Sequence, residues 1–172
     1  MNKEKIEEML LAGLSRFNTD LTANYIGKDQ EHFNLLLDLM INGRPPIPQR
    51  AAWVVAIVVE KYPWLIKPYI SKLIDLLPGF QHWGIQRCLL SVYQKIDIPE
   101  TKLGEMFDIC YKYLNDTKVP IAVRVFAMQI LYNISLKEPE LQGELKLLIE
   151  SHFDTGSAGY QSRAKKILKK LS

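Results

Sequence analysis

The histidines and cysteines are the side chains of this sequence that are best suited to bind a metal ion or act as nucleophiles. There are three histidines, His32, His82 and His152, and two cysteines, Cys88 and Cys110. A zinc site needs three or four such ligands, with short spacings between pairs, and no two of these histidines share such a spacing. Cys88 follows His82 by about a turn and a half of helix, but no neighbouring residue favours a thiolate. We therefore predict buried, reduced thiols and no catalytic, metal-binding or cofactor-binding residue.

The C-terminal segment has the strongest concentration of charge of one sign. The segment reads QSRAKKILKKLS, and its cations are Arg163, Lys165, Lys166, Lys169 and Lys170. These residues could form a basic patch for nucleic acid or an anionic surface, or the solvated outer face of a terminal helix. The net charge of the whole chain is only +3, which is too small to predict nucleic-acid binding by itself. We favour the solvated helix and keep nucleic acid as the alternative partner.

The elements that position these side chains repeat along the chain. Arg50, Arg87, Arg124 and Arg163 follow one another at intervals of 37, 37 and 39 residues, and an apolar helical run follows each arginine. A period of roughly 20–50 residues is typical of solenoids and other repeat arrays. We therefore expect helices that stack on equivalent helices in the neighbouring repeats.

A second series of helices alternates with the arginine-led series. Each is predicted from five residues with the spacing i, i+4, i+7, i+8 and i+11, which forms one stripe on a helix. The four stripes are Asp29, Phe33, Leu36, Leu37, Met40; Ile66, Ile70, Leu73, Ile74, Leu77; Leu103, Phe107, Cys110, Tyr111, Leu114; and Leu141, Leu145, Leu148, Ile149, His152. Together the two series predict an all-α fold, an α–α superhelix forming a short solenoid of about four helix pairs.

Proline and glycine mark the ends of the predicted elements, because proline interrupts a helix and glycine ends one easily. The first helix is expected over 2–16, with Ile6, Leu10, Leu14 and Phe17 on one apolar face, and a short helical piece follows to Ile26. The later helices are predicted over 49–61, 63–77, 81–96, 100–114, 119–134, 139–153 and 158–171. We expect one domain over 1–172, with units 1–43, 44–79, 80–116 and 117–154 and a capping helix within 155–172.

Two segments resemble the repeat signatures of the HEAT-repeat family. The segment NDTKVPIAVR, residues 115–124, followed by Ala127 and Leu131, is similar to the first-helix signature of that family. The segment EKYPWLIKPY, residues 60–69, followed by Leu73, Leu76 and Leu77, is similar to its second-helix pattern. The resemblance covers residues 20–172 and implies stacked helix pairs that bury apolar faces against their neighbours.

The resemblance also implies that the second helices line a concave binding face. The positions beside their apolar stripes carry both signs of charge and no continuous basic stripe, which favours a protein partner over a phosphate backbone. The candidate partner-binding residues are Trp64, Lys67, Tyr69, Lys72, Asp75 and Lys112. We therefore expect a non-enzymatic protein-interaction module or scaffold that binds an unidentified protein.

The alternative is a nucleic-acid-binding protein that resembles the DNA-alkylation-repeat glycosylases, which share HEAT-like architecture. That family pairs a catalytic aspartate with tryptophans in a basic groove, whereas Trp53, Trp64 and Trp83 have no aspartate beside them. The N-terminal segment MNKEKIEEML lacks the order of a signal peptide, and no apolar run approaches the ~20 residues of a membrane helix. We therefore expect a cytoplasmic location without membrane contact.

Overall fold

The computed structural model describes residues 2–171, which form α-helices joined by short turns and 3₁₀ segments, with no strand among them. This arrangement confirms the predicted all-α, HEAT-like fold class. The α-helices within the described residues are α1 (Asn2–Leu11), α2 (Arg16–Ile26), α3 (Gln30–Asn42), α4 (Ile47–Lys61), α5 (Ile70–Leu76), α6 (Trp83–Tyr93), α7 (Leu103–Asn115), α8 (Ile121–Lys137), α9 (Gln142–Ser151) and α10 (Ala158–Leu168).

The chain divides into two compact units, one ending at Val92 and the other beginning at Tyr93. In the first unit, α4 is the central helix and packs against α1, α2 and α3. Its run of alanine, valine and isoleucine is almost entirely buried, for example at Ala51, Val55 and Val58. This run is rich in β-branched residues, yet it forms a helix because tertiary burial outweighs the modest helix propensity of valine and isoleucine.

In the second unit, α8 is the central helix and packs against α7, α9 and α10. Val123, Ala127 and Ile134 are buried along one face of this helix, and Leu131 and Met128 extend the buried surface to an adjacent side. A helix that is apolar all round must be covered by several neighbours, and here three helices cover it. The outer faces of α7, α9 and α10 carry charged residues, for example Asp108, Glu144 and Lys166.

Arg124 is a buried cation on α8 that joins three elements of the second unit. Its side chain is 4% exposed, and its Nε and Nη2 donate to the Leu114 carbonyl oxygen at 3.1 and 3.0 Å. Leu114 lies in the last turn of α7, where carbonyls lack helical partners and the helix dipole is negative. The ring of Tyr160 from α10 lies 4.9 Å from the guanidinium carbon, and the Tyr160 hydroxyl donates to the Ile149 carbonyl oxygen.

The other arginines of the 37-residue series occupy different environments. Arg50 on α4 is half-buried, and its Nη1 donates to the Leu10 carbonyl oxygen at 2.9 Å, at the end of α1. Arg87 on α6 is exposed, and its nearest polar partner is the Cys88 sulfur at 3.8 Å. The arginine period therefore marks equivalent helices, while the contacts of each arginine differ.

The prediction of one continuous helix over 2–16 is wrong. Helix α1 ends at Leu11, and Gly13 has a φ of 153°, a conformation that favours glycine. The chain restarts at Ser15, whose hydroxyl accepts from the Asn18 amide at 3.1 Å and caps α2. Because the chain turns at Gly13, Leu14 and Phe17 leave the face of Ile6 and Leu10 and are 65% and 71% exposed.

The second-helix prediction over 63–77 is correct in position but not in helix type. Residues Pro63–Tyr69 form a 3₁₀ helix and only Ile70–Leu76 is α-helical. Pro68 lies inside the 3₁₀ segment, and a proline that cannot donate to an α-helical carbonyl explains the tighter winding. The stripe of this element, Ile66 to Leu77, is buried as predicted.

The stripe predicted for α7 is rotated in the structure. Met106 and Ile109 are buried, whereas Phe107 and Tyr111 are half-buried. The rings of Phe107 and Tyr111 lie 5.9 Å apart on the flank of the helix. The buried face is therefore turned towards Met106, because that side of α7 faces α8 within the unit. In the first stripe, Asp29 is an exposed N-cap whose Oδ1 accepts from the His32 amide.

Candidate functional site

The histidines and cysteines do not come together in the described part of the chain. Within residues 2–171, no group of three or more His, Cys, Asp and Glu side chains is placed to hold a metal ion. Cys88 and Cys110 are buried, and burial raises the pKa of both thiols, which disfavours the reactive thiolate. His82 Nδ1 accepts from the Gly84 amide at 3.0 Å, so this ring is engaged in a local turn.

The candidate residue Tyr69 links two elements of the first unit. Its hydroxyl donates to Asn34 Oδ1 at 2.6 Å, and Gln30 Nε2 donates to the same oxygen at 3.0 Å and to the Leu65 carbonyl oxygen at 3.1 Å. Tyr69 is half-buried. These bonds hold α3 beside the 3₁₀ helix, so Tyr69 positions the surface and offers part of its ring to solvent.

The remaining candidates of the first unit are exposed. Trp64 is 50% exposed and meets the Tyr62 ring edge-on at a centroid distance of 5.4 Å. Lys67, Lys72 and Asp75 are also exposed, and the surface they form carries both signs of charge, as predicted from the sequence. Beside them, the ammonium of Lys3 at 2.6 Å lowers the pKa of Asp38, with smaller contributions from Asn42 and Lys72.

Lys112 is an exposed residue of α7 in the second unit. The structure therefore describes five of the six predicted partner-binding residues in the first unit and Lys112 in the second.

The predicted basic patch on α10 separates into residues with different contacts. Arg163 is half-buried, and its Nη1 donates to Gln129 Oε1 at 2.9 Å and to Gln94 Oε1 at 3.4 Å. Arg163 therefore holds α10 against its neighbours. The four lysines of the segment are exposed: Lys165, Lys166, Lys169 and Lys170.

Two of these lysines lie over aromatic rings, and acidic residues lie close by. Lys165 Nζ is 5.9 Å from the Phe153 ring centre and Lys170 Nζ is 5.3 Å from the Tyr132 ring centre. Lys165 also lines a shallow cavity together with Glu150 and Asp154. The basic surface of α10 is therefore bordered by carboxylates on one side.

A groove in the second unit was not predicted from the sequence. It has a volume of about 800 Å³ and lies between the start of α7 and the end of α8. We call it the α7–α8 groove. Its apolar lining is Leu103, Phe107, Ile134 and Leu141. Leu103 and Ile134 are buried at its base, while Phe107 and Leu141 are half-buried.

Four carboxylates and one ammonium group surround the apolar lining of the α7–α8 groove. The acidic residues are Glu100, Asp108, Glu138 and Glu140, and the cation is Lys137. All four acidic residues are exposed. Lys137 Nζ lies 3.7 Å from Asp97 Oδ1, outside the groove. The rim is therefore strongly acidic, in a chain whose net charge is +3.

Local chain geometry explains where the acidic residues lie. Glu100 begins the 3₁₀ turn Glu100–Lys102 after Pro99. Glu138 is the C-cap residue of α8 and directly precedes the 3₁₀ turn Pro139–Leu141. Both prolines therefore place an acidic residue at the joint between two helices. Gly104 opens the groove further, because a Cβ at this position would meet no atom within 4 Å.

The sequence contained a partial signal for this groove. Gly104 and Asp108 lie beside the α7 stripe, at positions that are expected to face a binding surface. Glu100, Glu138 and Glu140 do not occupy such positions, because the helix register does not extend into the turns at Pro99 and Pro139. The recurrence of acidic residues beside these prolines was the signal that could have located the rim.

Three comparisons with known proteins bear on this fold and these surfaces. The sequence model described as the HEAT repeat domain matches residues 6–171. Comparison with curated proteins and with solved structures gave no significant match. Among residues 2–171, no helix is long and apolar enough to cross a membrane. The match extends over nearly the whole chain and agrees with the paired helices of both units, so this chain belongs to the HEAT repeat family.

Proposed function

We propose that this chain is a non-enzymatic protein-interaction module, and that its α7–α8 groove binds a basic, partly apolar segment of a partner protein. The observation that supports this proposal is the combination of an apolar base and an acidic rim in one cavity of about 800 Å³. Cavities of roughly 300–1,000 Å³ are large enough to enclose a ligand or several side chains of a peptide.

The apolar base is expected to supply most of the binding free energy. Burying a leucine-sized side chain contributes roughly 1.5–3 kcal/mol, and Phe107 and Leu141 are half-buried residues that such a side chain would cover. An anchoring residue in a pocket at the centre of an interface is the usual arrangement of a binding hot spot. A partner segment with one leucine, isoleucine or methionine facing the groove fits this arrangement.

The acidic rim is expected to select the charge of the partner. The carboxylates of Glu100, Asp108, Glu138 and Glu140 are exposed, and within the described range 2–171 none of them forms an ion pair, so their charges are available to lysines and arginines. Each exposed pair contributes only about 0.2–1 kcal/mol, but complementary charge accelerates association and excludes acidic partners. The same carboxylates repel a phosphate backbone, so the groove does not suit nucleic acid.

A nucleic-acid-binding function is the alternative, and its support is confined to α10. Lys166 and Lys169 are exposed there, but Arg163 is engaged by Gln129 and Gln94. Phosphate binding along a duplex requires several clustered cations and produces a steep dependence on salt. The carboxylates of Glu150 and Asp154 beside Lys165 weaken the local positive potential. We therefore favour a protein partner.

The proposal can be tested by fluorescence anisotropy with labelled peptides of equal length. One peptide combines lysine and leucine, a second combines glutamate and leucine, and a third combines lysine and serine. The lysine–leucine peptide should bind most tightly, because it alone satisfies both the rim and the base. A short DNA duplex measured under the same conditions tests the alternative.

Two triple variants, each of which removes three carboxylate charges, locate the binding site. Glu100→Gln, Glu138→Gln and Glu140→Gln together should weaken binding of the lysine–leucine peptide by about 3- to 150-fold, since three rim pairs contribute roughly 0.2–1 kcal/mol each. Glu31→Gln, Glu144→Gln and Asp154→Asn remove the same charge away from the groove and should have little effect. Equal loss in both variants would mean a non-specific charge effect, and preferential binding of the DNA duplex would favour the alternative.

A further inference from the structure

Helix α2 exposes Phe17, Leu21 and Tyr25, whereas its buried face is largely small or polar. Its buried face consists of Thr19, Thr22, Ala23 and Ile26 and packs against α1 and α4. The threonine hydroxyls donate to the Ser15 and Asn18 carbonyl oxygens, so no polar group on this face lacks a partner. A surface helix normally turns its apolar stripe inward, whereas α2 turns Phe17, Leu21 and Tyr25 outward.

The outward face of α2 forms one continuous apolar stripe. Leu14, Phe17, Leu21 and Tyr25 are 65%, 71%, 46% and 36% exposed. Phe17, Leu21 and Tyr25 follow one another at four-residue spacing along one side of the helix, and Leu14 lies just before the helix begins. We call these four residues the α2 stripe. Leu11, at the end of α1, is 49% exposed and precedes the stripe in sequence.

The exposed area of the α2 stripe is about half of what one partner contributes to a standard interface. If a complete large apolar side chain offers about 150–250 Å², these exposures together leave on the order of 400 Å² of apolar surface. A standard interface buries about 800 Å² per partner, and roughly 65% of a homodimer interface is apolar. The stripe therefore supplies most of the apolar part of such an interface, and the polar residues around it can supply the rest.

The charges along the edge of the α2 stripe suit a second copy of the same surface. Arg16 Nε donates to Asp20 Oδ1 and Oδ2 at 3.0 and 2.8 Å, and both residues lie on one side of the stripe. When two copies of α2 pack antiparallel, Arg16 of each copy can face Asp20 of the other. The pairing of opposite charges fixes the register of such an interface, and a surface that matches itself is the requirement of a two-fold dimer.

From the area and the charge pattern we infer that two copies of this chain associate through the α2 stripe, with their α2 helices antiparallel. The inference is independent of the proposed partner segment, because the α7–α8 groove lies in the other unit. The pairing of Arg16 with Asp20 of the other copy centres the interface at residue 18, so Phe17 is expected close to the two-fold axis. Phe17 has the largest exposed fraction of the four and is expected to be the main anchor.

Sedimentation velocity over a range of concentrations tests the association. The chain of 19.9 kDa should sediment as a species of twice that mass at micromolar concentrations. The double substitution Phe17→Ser and Leu21→Ser should weaken the dimer at least about 30-fold, because central anchors of this kind often contribute 2 kcal/mol or more. The matched control, Leu136→Ser with Leu147→Ser, removes apolar side chains that are 57% and 69% exposed and should leave the mass unchanged. Circular dichroism confirms that each variant is folded.

Disulfide trapping tests the position of the interface. The native cysteines are buried, so in Phe17→Cys the introduced thiol is the accessible one, and mild oxidation should link two copies rapidly. Leu147→Cys should link only slowly through random collisions. A monomer at all micromolar concentrations would overturn the inference. So would a dimer that persists in the Phe17→Ser and Leu21→Ser variant, or equal trapping at positions 17 and 147.

Discussion

Replacing the arginines of the 37-residue series one at a time should separate their roles. Arg50, Arg87 and Arg124 hold equivalent places in the sequence, yet they are half-buried, exposed and buried, respectively. Methionine is the best replacement because it keeps part of the apolar stem and removes the charge and the donors. We expect the loss of stability to follow burial and to be largest at Arg124.

The magnitude for Arg124→Met follows from its contacts. The change removes the charged hydrogen bonds to the Leu114 carbonyl oxygen, and a hydrogen bond to a charged group contributes about 1.5–3 kcal/mol. It also removes the contact with the Tyr160 ring, which contributes up to about 2 kcal/mol when desolvated. Removing a buried charge recovers part of its desolvation cost, so we expect a net loss of about 2–3 kcal/mol.

The two related variants serve as internal controls. Arg50→Met loses the bond to the Leu10 carbonyl oxygen at the end of α1, and we expect a loss of about 1 kcal/mol. Arg87→Met changes an exposed side chain, and we expect a change within about 0.5 kcal/mol. An equal loss at all three positions would refute the reasoning, and so would a loss below about 0.5 kcal/mol at Arg124.

Urea denaturation can assign each loss to one unit. Trp53, Trp64 and Trp83 all lie in the unit that ends at Val92, so tryptophan fluorescence reports Arg50→Met there. The unit that begins at Tyr93 contains no tryptophan, and its unfolding is followed by far-ultraviolet circular dichroism. Arg124→Met should lower the midpoint seen by circular dichroism, with an unchanged slope if only stability is altered.

Further expectations concern pH, helix ends and thiols. Burial, and to a lesser extent Arg124, lowers the pKa of His152, so the unfolded chain takes up this proton more readily than the folded chain. The stability linked to His152 is therefore complete above about pH 6.5 and falls as the pH drops towards the folded pKa. Thermal melts should show this slope, and His152→Gln should flatten it. Ser157 caps α10 by accepting from the Tyr160 amide, and Ser157→Ala should cost about 1 kcal/mol in denaturant unfolding. A Cβ on Gly43 would overlap the Leu39 carbonyl oxygen, so Gly43→Ala should cost about 1–3 kcal/mol in the same assay. Cys88 and Cys110 should react with an aromatic disulfide reagent only after denaturation, and prompt reaction of the folded chain would contradict their burial.

The sequence predicted the helical fold well because the signal repeats. The stripe from Ile66 to Leu77 and the buried residues of α4 follow directly from apolar periodicity and the positions of proline. Predictions were less accurate where backbone conformation decides the outcome. Nothing in the apolar spacing of Leu10, Leu14 and Phe17 indicates that Gly13 turns the chain, and Pro68 in a second helix is compatible with both α and 3₁₀ winding.

The candidate site was harder to predict than the fold. Trp64 and Lys67 are exposed, because their positions relative to the apolar stripe determine which way they face, and their contact with a partner stays a prediction. The rim of the α7–α8 groove depends on residues in the turns, such as Glu100 and Glu138, where helical periodicity no longer indicates direction. The outward stripe of α2 was missed because apolar residues at helical spacing normally indicate a buried face.

The central positions of α4 and α8 have a consequence for how the chain is synthesised. A protein is made from its N-terminus, and segments can fold as they emerge. Three partners of α4, the helices α1, α2 and α3, precede it, so most of its surface can be covered once α4 and the 3₁₀ helix that follows it are complete. Helix α8 must wait for α9 and α10, and until Tyr160 is made the guanidinium of Arg124 lacks its aromatic cover. A nascent chain paused after α8 therefore exposes a nearly all-apolar helix, and a fragment ending before Ser157 should aggregate where a fragment ending after α4 need not.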